Sequence, residues 1–432
     1  MSEKKADKTH KSGSERLRLS PAVIRRHRLA WKLGRPLVRP AMARRYGFHA
    51  PVERDLPECF LLLCNHVTRL DPLLLPAAFP QQMYFVASEH IQRMKLAPVI
   101  NWLAAPIIRR KSRTETGTAM DILRRLKAGC SVCVFIEGER SYNGQTEFIP
   151  DSAAHLAKMC GCALVTYRLE NGYFTEPRWS SSIRANGSMT GHVVGVYPPE
   201  KLKAMSRAEV LEAIRGDLWL DAYAEQEKET LSYPGKNLAE HLETALFYCP
   251  VCGAIGRLKS QGDRFFCPDC SLDLRFTEQG YLEAPDGSAP PYTTVRDWFN
   301  WQKQTAADYA LARYGSHELL IADEDQLLYG IHEEDHSARL QDRGRLALYG
   351  DGLEFSGQRE LFLPLERVTA VSCHESSLLS FAVSGTAREG GSFYEVECVT
   401  PRSAVKYQIM FRALKERQLA EAAGPGADKK KD

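Results

Sequence analysis

The sequence predicts an α/β domain whose mainly parallel sheet is covered by helices, then a small cysteine-rich module, then a mostly antiparallel β domain. Three observations predict it. Between about 50 and 200, continuous apolar runs alternate with helix-like stretches, as strands buried on both faces do. Two Cys-x-x-Cys pairs, Cys249/Cys252 and Cys267/Cys270, stand fourteen residues apart. From about Glu318 to Tyr407 the apolar runs become short and alternate with turns.

Residues 1–20 are charged and poor in apolar groups, the composition of a disordered tail. Residues 21–49 open with PAVIRRHRLAWKLGRPLVRPAMARRY, eight cations and no acid, interleaved with Leu29, Trp31, Leu33, Leu37 and other apolar groups. Basic residues with Trp and Leu at roughly helical spacing suit a helix lying on an anionic membrane surface. Gly34, Pro36 and Pro40 are expected to interrupt that helix. Within 50–200, Cys59–Cys64, Met83–Ala87, Ser131–Ile136 and Ala163–Tyr167 read as buried strands, and His192–Tyr197 closes the series. Thr116–Ala128 reads as a helix with Ile122, Leu123 and Leu126 on one face and Gly129 as its stop.

Residues 201–246 read as a helical linker, in which a capping box at Ser206 and Glu209 opens a helix to about Gln226. The cysteine module occupies 247–276 and the β domain 316–420, closed by a helix from Ser403 to Ala422; 423–432 form a tail. At 44% hydrophobic and 26% charged the composition is that of a globular protein. The net charge of +3 is uneven, since residues 1–50 hold 14 Lys/Arg against 3 Asp/Glu. No apolar window is long enough to span a bilayer, and the polar N-terminus is no signal peptide. The chain is therefore expected at the cytoplasmic face of a membrane, peripherally bound, with its twelve cysteines reduced.

Three segments end in polar groups that a parallel sheet can bring to one edge. FLLLCNHVTRLDP places His66 just past a strand, with Asp71 five positions on and Pro72 behind it. Pro72 disfavours helical dihedrals at Asp71, so the intervening turn can fold Asp71 back toward His66, either as a partner of the ring or as a helix cap. A carboxylate on one ring nitrogen fixes the tautomer whose other nitrogen takes a proton from a hydroxyl. FIEGERS supplies Glu137 as an acceptor, Gly138 for a sharp turn and Arg140 for a phosphate. AAPIIRRK supplies Arg109 and Arg110.

In this order, Asn65-His66-x-x-x-x-Asp71, a run ending in Arg110, and Phe135-Ile-Glu-Gly-Glu-Arg-Ser141 resemble the blocks of the PlsC-type glycerolipid (lysophosphatidate) acyltransferases, over roughly Ala22 to Tyr197. The resemblance implies that 50–200 is an acyltransferase domain with an acyltransferase-like α/β fold. The implied reaction, a step of phospholipid biosynthesis, moves a fatty acyl group from acyl-CoA or acyl carrier protein to a lysophospholipid hydroxyl. The leading acceptor is 1-acylglycerol-3-phosphate, giving phosphatidate. It further implies His66 as general base, Asp71 as its orienter, and Arg110, Glu137, Gly138 and Arg140 as binders of the phosphorylated acceptor. Ile136 stands where the family's third block has Pro, and Glu139 where it has Thr. Both departures bear on the acceptor rather than on the reaction.

Cys249, Cys252, Cys267 and Cys270 have the spacing of a zinc ribbon, a closed four-thiolate site with a structural role. Phe265 and Phe266 are expected to pack the ribbon. Cys130-x-x-Cys133 reads as core of a strand, and Cys160 and Cys162 as lacking partners for a metal site. The β domain and its closing helix weakly resemble pleckstrin-homology or GRAM-like domains, which would imply lipid or protein binding. A non-catalytic membrane or nucleic-acid adaptor is the alternative function, with nucleic acid ranked last among the partners.

Overall fold

The computed structural model describes residues 20–109, 115–332, 337–374, 377–385, 392–399 and 402–423. Most of the two predicted tails, and Arg110, lie outside the described residues. The chain begins with α1 (Pro21–Tyr46), capped by Ser20 and stopped by Gly47 in the left-handed conformation (φ 64°). The helix is continuous through Gly34, Pro36 and Pro40, against the sequence expectation. Packing overrides the local breakers: Met42 and Tyr46 are buried, Trp31 Nε1 donates to the Phe79 carbonyl, and Arg35 Nε donates to the Pro76 carbonyl at 2.8 Å. Pro36 and Pro40 sit on the exposed side.

The first domain then alternates as its apolar runs require. In order come β1 (Phe60–Cys64), α2 (Asp71–Ala78), β2 (Met83–Ser88), α3 (Ala97–Leu103), β3 (Ile107–Arg109) and α4 (Glu115–Lys127). They are followed by β4 (Ser131–Phe135), α5 (Ser152–Met159), β5 (Ala163–Glu170), α6 (Gly172–Thr175) and β6 (Thr190–Tyr197). The sheet order is β3-β2-β4-β1-β5-β6, parallel throughout except for β6, which pairs antiparallel with β5. From β1 the chain moves to one side, toward β2. From β4 it moves to the other, toward β5. The carboxyl ends of the adjacent strands β1 and β4 therefore flank a topological switch point, where such sheets leave a crevice.

The stretch 201–246 carries core rather than a bare connection. After α7 (Pro199–Ala204), α8 (Arg207–Leu218) buries Val210, Ile214 and Leu218 in the cluster that covers one face of the sheet. The Ser206–Glu209 capping box is present. The helix does not reach Gln226. It ends at Leu218, and Asp221 caps a new one, α9 (Ala222–Lys228), by accepting from the Tyr223 and Ala224 amides.

Four short strands, β7 (Lys259–Gln261), β8 (Arg264–Phe266), β9 (Asp273–Phe276) and β10 (Leu282–Glu283), form an antiparallel sheet beside the cysteine knuckles. A helix that the sequence reading left out, α10 (Val295–Leu311), follows. Its buried Val295, Trp298, Phe299, Gln302, Ala306 and Ala310 recur at helical spacing, and Thr294 caps it. The β domain comprises β11 (Leu319–Ile331), β12 (Ala338–Tyr349), β13 (Gly352–Ser356), β14 (Glu360–Pro364), β15 (Val368–His374), β16 (Leu378–Val383) and β17 (Ser392–Cys398). Their order is β14-β13-β12-β11-β17-β16-β15, all antiparallel, and α11 (Val405–Ala423) closes the chain against α10 and β15.

One buried cluster runs from Tyr142, Tyr173 and Trp179 of the first domain, through Phe247 and Phe265, to Trp298, Phe381 and Met410. Polar contacts cross the same boundary. Arg93 pairs with the buried Glu395 at 2.5 Å, and His90 stacks on His374 with centroids 3.8 Å apart.

Candidate active site

Phe60–Cys64 is fully buried and aims the next residues out of the carboxyl edge of the sheet. Asn65 anchors this exit: its amide donates to the Leu169 carbonyl and accepts from the Leu169 amide, both at 2.8 Å, tying the end of β1 to that of β5. His66 follows. Its Nδ1 lies 2.7 Å from Asp71 Oδ2. Asp71 is not a side-chain cap for α2, whose N-cap Leu70 makes no such bond. Its carboxylate turns backward instead and also accepts from the Val67 amide, the Thr68 amide and the Thr68 hydroxyl. The i+5 spacing is thus closed by a turn whose amides converge on the second residue of the pair.

Asp71 has no exposed side chain, whereas that of His66 is 23% exposed. Because the Asp71 carboxylate accepts a hydrogen bond from Nδ1–H, Nε2 is the ring nitrogen with a lone pair to offer. The ring also stacks on Phe135 at the end of β4, with centroids 4.7 Å apart.

Glu137, two residues beyond β4, engages two backbone amides. Oε1 accepts from the His66 amide at 2.9 Å and Oε2 from the Glu147 amide at 2.6 Å. It braces the ends of β1 and β4. Gly138 has φ 75°, and a Cβ there would stand 3.1 Å from Arg109 Nη1, so glycine admits both the turn and the cation. The described cation beside Gly138 is therefore Arg109; Arg110 lies outside the described residues. Arg140 is 8% exposed and reaches toward the Glu176 carbonyl at 3.5 Å.

Two residues of the site escaped the sequence reading. Glu176 is buried and accepts from the Arg69 amide at 2.9 Å, from Arg69 Nε at 2.8 Å and from the Tyr46 hydroxyl at 3.1 Å. It fixes the turn after His66 to the end of α1. Arg178 donates to the Arg140 carbonyl at 2.6 Å, pairs with Glu139 and lies over the Tyr142 ring. Glu139 also accepts from Gln408 of α11 at 3.2 Å, so a departure in the third block is where the C-terminal helix holds the active-site turn.

Burial pushes the Glu137 carboxyl up to about 8, against the downward pull of its two amide bonds. A carboxyl raised in the fold stabilises it while protonated. The contribution is complete below the ordinary carboxylate range and is lost as pH rises through about 8. Thermal unfolding from pH 5 to 8 should therefore show a steeper fall in midpoint for the wild type than for Glu137→Gln, and the two should run parallel above that range. The difference is bounded by about 1.4 kcal/mol per pH unit for one proton. Equal slopes would remove Glu137 as the cause.

The cysteine module brings its four thiols together. Cys249 and Cys270 sulfurs lie 3.7 Å apart, Cys252 and Cys267 sulfurs 3.8 Å, and all four fall within 4.8 Å of one another. Sulfurs at about 2.3 Å from a tetrahedral zinc stand about 3.8 Å apart, so the set fits that ion. Phe265 is buried against Trp298 of α10, while Phe266 lies under the Arg264 guanidinium.

Residues 52–170, which hold His66, Asp71, Glu137 and Arg140, match the family model described as Acyltransferase. This segment is thus similar to acyltransferase domains. A similar solved structure is the 1-acyl-sn-glycerophosphate (LPA) acyltransferase, PlsC, from Thermotoga maritima. It is 19% identical and covers 49% of this chain and 83% of that one, with a TM-score of 0.37, too low to add weight to the family match. Among curated proteins no sequence match was found.

Proposed function

We propose that this chain transfers a fatty acyl group from a thioester, acyl-CoA or acyl carrier protein, to the free hydroxyl of a lysophospholipid at a membrane surface. The preferred acceptor is 1-acylglycerol-3-phosphate and the product phosphatidate. The observation that carries the reading is the His66–Asp71 pair, set at the sheet edge inside the acyltransferase segment with Nε2 as its basic nitrogen.

In this reading His66 Nε2 takes the hydroxyl proton as the oxygen attacks the thioester carbonyl. The C–S bond breaks, and the thiolate leaves with the proton from the imidazolium. Asp71 holds the ring and balances its transient charge. Arg109 beside Gly138, with Arg110 next in sequence, supplies cations for the acceptor phosphate, and Arg140 holds the loop carrying Glu176. Zinc on Cys249, Cys252, Cys267 and Cys270 is structural. The β domain and α11 act as a lipid- or protein-binding wall, a role supported by seven sequentially folded antiparallel strands with a closing helix.

The membrane contact is α1 with α3. Leu29, Leu33 and Leu37 line one side of α1 at i, i+4, i+8 and are exposed, with Arg25, Arg28, Lys32 and Arg39 also exposed. On α3, Val99 and Trp102 are exposed, and the Trp102 carbonyl lies 3.1 Å from His27 of α1. No helix among the described residues is long and apolar enough to cross a membrane. Flotation with vesicles containing phosphatidylglycerol should carry the wild type upward and leave Leu33→Asp/Leu37→Asp behind. Co-flotation of both would sink this surface.

The function itself is tested with purified protein, labelled acyl-CoA or acyl carrier protein, and a panel of lysophosphatidate, glycerol 3-phosphate and neutral lysolipids. Ester formed on lysophosphatidate supports the reading. Transfer confined to acceptors without a phosphate would overturn it.

A further inference from the structure

The opposite edge of the same sheet carries a second set of reactive groups. In β1–β5 register Phe60 faces Ala163, and in β1–β4 register Leu61 faces Val132. Stepping back along these parallel strands places Cys130, Cys59 and Cys162 in one row across β4, β1 and β5, where neighbouring residues share a face. Cys160, at the end of α5, joins them: its thiol donates to the Cys162 carbonyl at 3.2 Å. Cys160 and Cys162, read from sequence as lacking partners, thus gain Cys59 from a strand about a hundred residues upstream.

The row is not uniform. Cys130 is buried, its thiol aimed at the Ala128 carbonyl, and burial pushes it up. Cys59 and Cys162 are partly exposed, and the Cys59 thiol donates to the Leu126 carbonyl at 3.5 Å on the same face. The neighbouring Cys162 thiol lowers Cys59, with the Arg28 cation adding to it, while Cys162 itself is raised. Arg28 is held near this edge by its bond to the Gly129 carbonyl at 3.4 Å. A partly exposed thiol beside a cation is the setting of a reactive cysteine. Adjacent strands are about 4.8 Å apart, inside the Cα range of roughly 4.4–6.8 Å that a disulfide spans. Both cysteines lie just before their strands.

We propose that Cys59 and Cys162 form a reversible thiol–disulfide couple at the base of the sheet, oxidised by a low-molecular-weight disulfide. The Cys59 thiolate attacks one sulfur of R–S–S–R; that bond breaks, RS⁻ leaves, and Cys59–S–S–R forms. Cys162 then gives its proton to solvent, and its thiolate attacks the Cys59 sulfur and expels the second RS⁻. Two protein thiols are oxidised while one external disulfide is reduced to two thiols. The bridge ties β1 to β5 at the end remote from His66, and it stands whether or not the acyl-transfer reading does.

The test is full-length protein, supplied with zinc, equilibrated in oxidised and reduced glutathione at graded ratios, blocked with an alkylating agent and mapped by peptide mass. The expected result is a Cys59–Cys162 linked peptide, two hydrogens lighter than the free pair, that disappears with dithiothreitol. It should persist in Cys130→Ser and be absent in Cys59→Ser and Cys162→Ser. A stable glutathione adduct on Cys59, a Cys160–Cys162 bridge, or full alkylation of both cysteines at every ratio would each overturn the couple. The wild-type map decides the matter even where a variant folds poorly.

Discussion

His66→Ala is expected to lower acyl transfer by roughly 10²–10⁴-fold, the range that a positioned general base supplies. The loss should fall on turnover with little change in folding, because the ring is partly exposed and its main packing contact is the Phe135 face. Asp71→Ala should behave differently. That carboxylate gathers the Val67 and Thr68 amides, the Thr68 hydroxyl and the ring, so its removal leaves buried donors unsatisfied, at about 1–3 kcal/mol each. Activity and thermal midpoint should drop together in Asp71→Ala, and activity alone in His66→Ala. Comparison of initial rates with melting curves separates the two. Undiminished transfer by folded His66→Ala would remove it as the base.

The second large effect is expected at the knuckles. The protein should hold one zinc per chain by elemental analysis, and Cys252→Ser should lose it. Cys252 is exposed, so without a metal the substitution would be nearly silent, within about 0.5 kcal/mol. With zinc the ribbon forfeits a ligand of a site whose binding free energy reaches about 10–16 kcal/mol in small zinc modules. A drop in melting midpoint on the order of 10 °C is then expected, and chelation of the wild type should reproduce it. A metal-free wild type, or a Cys252→Ser protein melting with it, would refute the zinc assignment.

The sequence made the strands, the His66–Asp71 turn and the cysteine knuckles legible, because each rests on a local pattern: apolar runs, a proline that opens a helix, paired Cys-x-x-Cys. What it hid is long-range. Glu176 and Arg178 sit in an unremarkable TEPRW stretch and become part of the site only through Arg69, Tyr46 and Glu139. The proline-bearing α1 stays whole because of Trp31 and Arg35 bonds to α2 and its C-cap, which no helix rule on its own segment could supply. Glu137 was visible as a functional residue, but its two amide partners, and hence its role as a strut, depend on which strand lies beside β4. The thiol row was invisible for the same reason: register, not spacing, aligns Cys130, Cys59 and Cys162.

The buried cluster joining Tyr142 to Phe265 and Met410 couples the first domain to the knuckles and to the β domain. These parts were distinct as patterns in the chain, yet none owns the whole of its core. A cut made before α10 would bare apolar surface on both stumps, and damage at the knuckles would be felt at Tyr142, next to Ser141 of the active-site turn.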